Sequence, residues 1–251
     1  MPYARVSSTL ATLPVVAEQA WSAQNANLQP LDFPVPTAFQ GKTIEQIPLP
    51  SNKKVIALTF DDGPSVEFSN KVLYILDKYN IKATFFLLGR HVQQHPERVL
   101  QMHNKGHALA NHSWSHPYRQ LSPDRAAAEI EHTSTWIEKA AGVKSKFFRP
   151  PGGFLENGMA NYAMQQGQTV VMWSADSKDF NAPAATIVRN VLQQAGPGGI
   201  ILLHDGGGDR TATVIALPQI IDVLLEQGYT FVTVPELMEL YEAETQGAQA
   251  R

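Results

Sequence analysis

From Lys54 onward, short continuous apolar runs alternate with stretches whose apolar residues recur every three or four positions. The runs at 55–60, 83–87, 107–110, 146–149, 169–173, 200–203 and 229–234 read as strands. The stretches at 70–79, 96–105, 122–141, 158–166, 184–194, 213–227 and 235–244 read as helices. Ser122-Pro123-Asp124 is a helix start, with a cap residue, a proline in the first turn and then an acid. Gly106, Gly142 and Gly167 are stops. Repeated strand–helix alternation implies right-handed crossovers and a parallel sheet.

The polar residues that interrupt this pattern fall at the C-terminal ends of the expected strands. Asp61 and Asp62 follow the first strand, Asn111 and His112 the third, and Arg149 ends the fourth. Asp176 and Asp179 follow the fifth, and His204 follows the sixth. An open doubly wound sheet gathers its ligands around one crevice, from a few strands. Contributions from five strands to one rim favour instead a closed or nearly closed α/β barrel of about seven parallel strands.

Residues 1–50 lack this alternation. Prolines recur at 30, 34, 36, 48 and 50; residues 5–26 can hold a helix, and 28–50 read as an extended segment. We therefore divide the chain into an N-terminal extension (1–50, a wrapping segment or linker), a main domain (51–245) and a frayed tail (246–251). The stretch 10–17 is apolar but short, broken by Pro14 and preceded by one base, so it makes no convincing signal peptide. No apolar run approaches the ~20 residues of a membrane span. Twenty basic against 23 acidic residues give no electrostatic case for nucleic acid. With no cysteine in the 251 residues, disulfides, thiolate metal sites and cysteine nucleophiles are excluded.

Two adjacent carboxylates at a buried strand end repel one another and require a cation. His112 and His116, four residues apart, can face the same way on a helical turn. With one carboxylate of the Asp pair they form a two-His, one-Asp set that suits zinc or a non-haem ferrous ion. Taken alone, His-x3-His favours two histidines bonded in a loop; the Asp pair at a neighbouring strand end turns the reading toward a metal. Arg149, before a double proline and Gly152-Gly153, can neutralise and orient the second carboxylate, or make a structural salt bridge. His204, with Asp176 and Asp179 on the preceding loop, suits a general acid. His91, His95, His103, His107 and His132 read as solvated or satisfied. Consecutive residues on an extended strand point in opposite directions, which disfavours Asp61 and Asp62 as a glycosidase pair. The glycine-rich stretch 206–210 is not followed by a Walker-type lysine, which argues against phosphate binding.

Five ordered motifs resemble those of the NodB-homology polysaccharide deacetylases, carbohydrate esterase family 4. They are Thr-Phe-Asp-Asp-Gly-Pro (59–64), His-Ser-x-x-His (112–116), Arg-Pro-Pro-Gly-Gly (149–153), Asp-x-x-Asp-Phe (176–180) and Leu-Leu-His-Asp-Gly (202–206). The resemblance implies a distorted, incompletely closed (β/α) TIM-like barrel. It implies one divalent ion, zinc first and cobalt or another ion as alternatives, on Asp62, His112 and His116. It makes Asp61 the base, held by Arg149, and His204 the acid, charge-partnered by Asp179. Leu202 lines the acetyl pocket, a backbone N–H near Gly152 serves the oxyanion, and Gly152, Gly153, Phe180, Asp176 and Trp114 are expected at the glycan.

The family usually carries an aromatic where Gly152 stands and a tryptophan where Phe180 stands, which affects how a sugar is placed. The expected activity is N-deacetylation of a GlcNAc-containing polysaccharide: peptidoglycan, chitin oligomers or exopolysaccharide. O-deacetylation of xylan and non-catalytic glycan binding are the alternatives. The partner is an N-acetylated glycan, and a monomer is expected. By resemblance the protein works outside the cell, at its surface or in the periplasm.

Overall fold

The computed structural model describes residues 34–249. The helix expected at 5–26, the apolar stretch at 10–17, the start of the segment from Leu28 and the end of the tail lie outside them. In chain order the strands are β1 (Thr43–Ile44), β2 (Val55–Gly63), β3 (Thr84–Leu87), β4 (Ala108–Asn111), β5 (Phe147–Phe148), β6 (Thr169–Val171), β7 (Ala175–Asp176), β8 (Gly199–His204) and β9 (Thr230–Val232). The helices are α1 (Phe68–Tyr79), α2 (Gly89–Gln94), α3 (Pro96–Asn104), α4 (Pro123–Ala141), α5 (Met159–Gln165), α6 (Ala184–Gln194), α7 (Thr211–Glu226) and α8 (Val234–Gln249).

All strand pairs are parallel, in the order β1-β6-β5-β4-β3-β2-β8-β7, with β9 beside the first residues of β2. The sheet curls into a barrel that does not close, since its terminal strands β1 and β7 are not paired with each other. Nine strands replace the seven expected because β1 and β7 are two-residue pieces, too short to show any periodicity. Helix α2 was likewise too short to register. Helix α8 runs on to Gln249, past the expected end at 244.

Strands β2 to β6 and β8 bury both faces, and alternate residues enter different cores. Ile56, Leu58 and Phe60 of β2 pack with α1 and α7 through Val72, Leu76, Leu217 and Ile221. Val55 and Ala57 face the lumen with Phe86, Ala110, Phe147, Val171 and Ile200. Val35, Phe39, Ile47 and Leu49 enter this second core, so residues 34–50 join the packed body.

That segment also crosses the open side of the barrel. Thr43–Ile44 pairs with β6, Gln46 bridges to Gly199, and the Ile47 N–H donates to the Gly198 carbonyl at 2.8 Å. The approach requires glycine at 198, where φ is +74° and an added Cβ would lie 2.1 Å from the Ile47 oxygen. Gly167 has a similar φ of +75° but open space around it. Gly167→Ala should cost about 1–2 kcal/mol of stability, the backbone penalty alone. Gly198→Ala should cost clearly more, on the order of 3 kcal/mol, because Ile47 must also move. Paired urea melts read the difference; equal losses would mean the 46–47 crossing adds nothing to stability.

Candidate active site

The same alternation builds the site. Continuing the lumen-facing positions of β2 two residues at a time, Val55 and Ala57 lead to Thr59 and Asp61. Ala110 leads to His112, Phe147 to Arg149, Val171 to Trp173, and Ile200 to Leu202 and His204. Each is carried to the C-terminal rim by a strand whose preceding lumen residue is anchored in the core.

Arg149 is fully buried, and four hydrogen bonds hold its guanidinium. Nη1 donates to Asp61 Oδ1 at 2.7 Å and to Thr59 Oγ1 at 2.8 Å. Nε donates to the Val171 carbonyl at 2.9 Å and Nη2 to the Met172 carbonyl at 3.0 Å. The guanidinium carbon lies 4.0 Å from the centre of the Phe86 ring. Burial pushes the Asp61 carboxyl above its ordinary range, and the Arg149 charge opposes that rise.

Asp62 breaks the alternation. The register with β3 shifts between Asp61 and Gly63, and Asp62 takes φ +72°. This bulge brings both carboxylates to one side, each 3.6 Å from His112 Nε2. The expectation that consecutive residues must face opposite ways is therefore wrong here. Gly206 lets the loop after β8 close over the bulge, since a Cβ there would lie 2.2 Å from the Asp62 carbonyl oxygen.

His112 and His116 do not share a helical turn, as their spacing had implied. Residues 112–116 form a loop turned by left-handed backbone at Ser113 (φ +72°) and His116 (φ +62°). The Ser113 N–H donates to Asn111 Oδ1 at 2.8 Å, and the His116 N–H to Ser113 Oγ at 3.1 Å. The loop carries His116 Nε2 to 3.3 Å from Asp62 Oδ1.

Asp62, His112 and His116 each present one donor atom, all within 4.8 Å of one another. Asp62 Oδ1 is buried without a hydrogen-bond partner, a costly state for a carboxylate oxygen that a cation would relieve. His112 Nδ1 sits 2.7 Å from the Arg149 carbonyl, which fixes the proton there and turns the Nε2 lone pair inward. Burial lowers the His112 pKa to about 3 and moves that of His116 downward, so both rings are neutral at pH 7. Two neutral imidazoles and a carboxylate fit a divalent ion.

On the adjacent strand β8, where His204 is the register partner of Asp61, His204 Nδ1 lies 2.6 Å from Asp179 Oδ1. The His204 N–H (3.0 Å) and the Thr213 hydroxyl (2.7 Å) both donate to Asp179 Oδ2. Burial pulls the His204 pKa down, but the Asp179 hydrogen bond and charge outweigh it and the net shift is upward. Burial opposes the charge of Asp179, and His204 and Thr213 still hold its carboxyl below the ordinary range. An acid with a raised pKa stays protonated further into the alkaline range. Asp179→Asn removes that support, so the alkaline limb of kcat/KM should move to lower pH and kcat should fall. A pH–rate profile measures both; an unmoved alkaline limb would detach His204 from the acid role.

A cavity of about 520 Å³ connects these groups. Asp61, His116, Gly152, Asp176, Phe180, Leu202 and His204 line it, as the sequence anticipated. The Phe180 ring lies 4.1 Å from that of His204 and is backed by Arg210, 4.5 Å away. Trp114 is not among the lining residues: its ring packs on His132 (6.0 Å), and an added Cβ at Gly89 would touch it. Gly153 lies beneath Trp173, on the side of a neighbouring cavity.

Sequence reasoning missed Tyr118, Trp173, Lys178 and Asn181, which also line the cavity. Only Trp173 carried a signal, as the next lumen position after Val171. His91, read as solvated or satisfied, places Nδ1 2.9 Å from the Asp62 carbonyl. Asp205, buried behind the bulge, accepts from Ser69. Burial, with the charges of Asp62 and Asp61, outweighs that bond and pushes its carboxyl up to about 7.

Comparison with known proteins agrees with this geometry. Residues 49–171 match the polysaccharide deacetylase family. A peptidoglycan-N-acetylglucosamine deacetylase of Bacillus cereus is 42% identical over 195 residues, covering 76% of this chain and 91% of that protein. A bifunctional xylanase/deacetylase of Pseudobutyrivibrio xylanivorans is 43% identical over 194 residues, covering 75% of this chain and 31% of that one. Among solved structures, a peptidoglycan N-acetylglucosamine deacetylase in complex with a hydroxamate superposes with a TM-score of 0.73 at 40% identity. That match covers 79% of this chain and 92% of the other.

Proposed function

This chain belongs to the polysaccharide deacetylase family, and from that premise we propose that it removes N-acetyl groups from a GlcNAc-containing polysaccharide, releasing acetate. The observation that carries the reading is a base and an acid candidate at neighbouring strand ends lining one cavity: Asp61 on Arg149, and His204 on Asp179. A glycan-binding module needs neither. Of the polymers considered, peptidoglycan has the support of the Bacillus cereus relative.

Asp62, His112 and His116 would hold a divalent ion, zinc by donor type, which when bound supplies Lewis-acid polarisation of the acetyl carbonyl and a more acidic water. Asp61 Oδ1 is tied to Arg149, which leaves Oδ2 to take the proton of the attacking water. Burial makes that carboxylate a stronger base than an exposed aspartate. His204, its Nδ1 held by Asp179, presents Nε2 to the amide nitrogen and protonates it as the C–N bond breaks. Without that proton the amine is a poor leaving group. Leu202 gives an apolar wall for the acetyl methyl, and Phe180 and Trp173 flank the sugar. A substrate of this size acts outside the cytoplasmic membrane, and no helix among the described residues is long and apolar enough to cross one.

Acetate release from peptidoglycan and chitin oligomers, before and after chelation and zinc reconstitution, tests the reading. We expect release that chelator abolishes and zinc restores. No acetate from any of these glycans by the zinc-loaded protein would sink it. The xylan-associated relative favours a second reading, O-deacetylation. An ester has a better leaving group, so His204→Ala should keep far more activity on acetylated xylan than on an amide. Comparable losses on both would remove that distinction.

A further inference from the structure

Two arginines are buried near the rim. Arg149 has the Asp61 carboxylate as its partner. Arg210, 2% exposed, forms no ion pair among the described residues, and its guanidinium donates only to backbone carbonyls. Nε donates to Gly206 at 2.6 Å and Nη2 to Gly207 at 2.9 Å. Nη1 donates over longer distances, to Asp179 at 3.4 Å and Phe180 at 3.5 Å. A buried guanidinium without a carboxylate is costly to keep out of water. The two pairs of carbonyls belong to different loops: Gly206 and Gly207 follow β8 and His204, while Asp179 and Phe180 follow β7. Arg210 therefore ties the loop of the acid to the loop of its charge partner.

The tie continues into the side chains. Arg210 immediately precedes α7, and three residues further on the Thr213 hydroxyl donates to Asp179 Oδ2 at 2.7 Å. Residue 179 is thus held twice from the start of α7, by its carboxylate and by its carbonyl. The Arg210 guanidinium carbon lies over the Phe180 ring, 4.5 Å from its centre, and that ring lies 4.1 Å from the imidazole of His204. Phe180 is 49% exposed at the cavity edge, and a ring so open turns away freely unless something holds it. A guanidinium over its face does so. We propose that Arg210 is a positioning residue for proton delivery: it holds Phe180 and residue 179 against His204, and so keeps Nε2 turned toward the departing nitrogen. This rests on the deacetylase reading above and adds to it a residue outside the five motifs. Arg210 is not among the cavity-lining residues and acts only through His204.

Zinc-loaded wild type, Arg210→Lys and Arg210→Met are compared on an N-acetylated glycan, whose amine must be protonated to leave, and on p-nitrophenyl acetate, whose phenolate leaves without a proton. Arg210→Lys keeps the charge but not the planar fork, and it carries the test if Arg210→Met does not fold. Both variants should lower kcat on the glycan by about 10- to 100-fold, the scale of a misplaced reacting group. Both should change ester hydrolysis by less than about threefold, since that reaction needs no general acid. The ring C–H proton resonance of His204 should move toward its position in Phe180→Leu, which lacks the neighbouring ring current. Equal falls on amide and ester, no fall on either, or an unmoved His204 resonance would overturn the proposal. So would loss of zinc from the variants: Gly207 lies against Asp62, where an added Cβ would be 2.5 Å from Oδ2, and the effect would then run through that carboxylate. A wild type that cleaves the ester but releases no acetate from any glycan would remove the deacetylase reading, and the acid role with it.

Discussion

Asp61→Asn should lower kcat on an N-acetylated glycan by about 10³-fold, within the range that a positioned general base contributes. The amide keeps an oxygen for Arg149 but cannot take a proton. It should still load one zinc per chain, because Asp62, His112 and His116 form the donor cluster without it. Asp62→Asn should instead lose zinc affinity and activity together. Metal content by mass spectrometry beside kcat separates the two carboxylates. If Asp61→Asn loses its zinc, or keeps kcat within tenfold, then the bulge has been assigned the wrong way round. Folded fraction has to be tracked in parallel, since the amide leaves a buried guanidinium without its counter-charge.

The largest effect on stability should come from Arg149. Its guanidinium joins four groups of two strand ends: Asp61 and Thr59 of β2, and the carbonyls of Val171 and Met172 at the end of β6. Arg149→Met removes one partner of a fully buried pair and strands Asp61. The expected cost is about 3–5 kcal/mol, or roughly 10 °C in Tm for a chain of this size. Arg149→Lys should recover little, because one ammonium cannot span donors fixed in a planar fork. Activity should be lost in both variants, since Asp61 no longer has a fixed orientation. A Tm within about 3 °C of wild type for Arg149→Met would mean that the network is redundant.

Much of this was legible in the sequence, for identifiable reasons. Val55–Gly63 and Gly199–His204 begin as continuous apolar runs, so the polar residues that end them mark the C-terminal rim. Asp61 and His204 follow from that position alone, whereas Leu202 came only with the family resemblance. Helices with several apolar positions and a stop signal, such as Pro123–Ala141 and Ala184–Gln194, were placed to within a residue. The five-motif resemblance then pointed to Asp62, His112 and His116, which the structure brings into one cluster, and to the Asp61–Arg149 and His204–Asp179 pairs, which it joins by hydrogen bonds. Trp114 shows the limit of a motif. It lies between two histidines of the site, yet its ring packs against His132 because Ser113 turns the loop.

The sequence by itself determined the strand–helix alternation and the chemical inventory at the strand ends, because period, composition and spacing are local properties. Only the tertiary structure decided how the inventory converges. The left-handed backbone at Asp62, Ser113 and His116 is uncommon for any residue but glycine, and surrounding contacts hold it, through Asn111, Ser113 Oγ and the loop at Gly206. Thr43–Ile44 forms a strand only because the exposed edge of β6 offers it partners. Tyr118, Trp173 and Phe180 come from separate loops, and the tertiary fold sets them around one cavity. A turn at positive φ and a contact between distant loops are both paid for by long-range packing, which no window of the sequence contains.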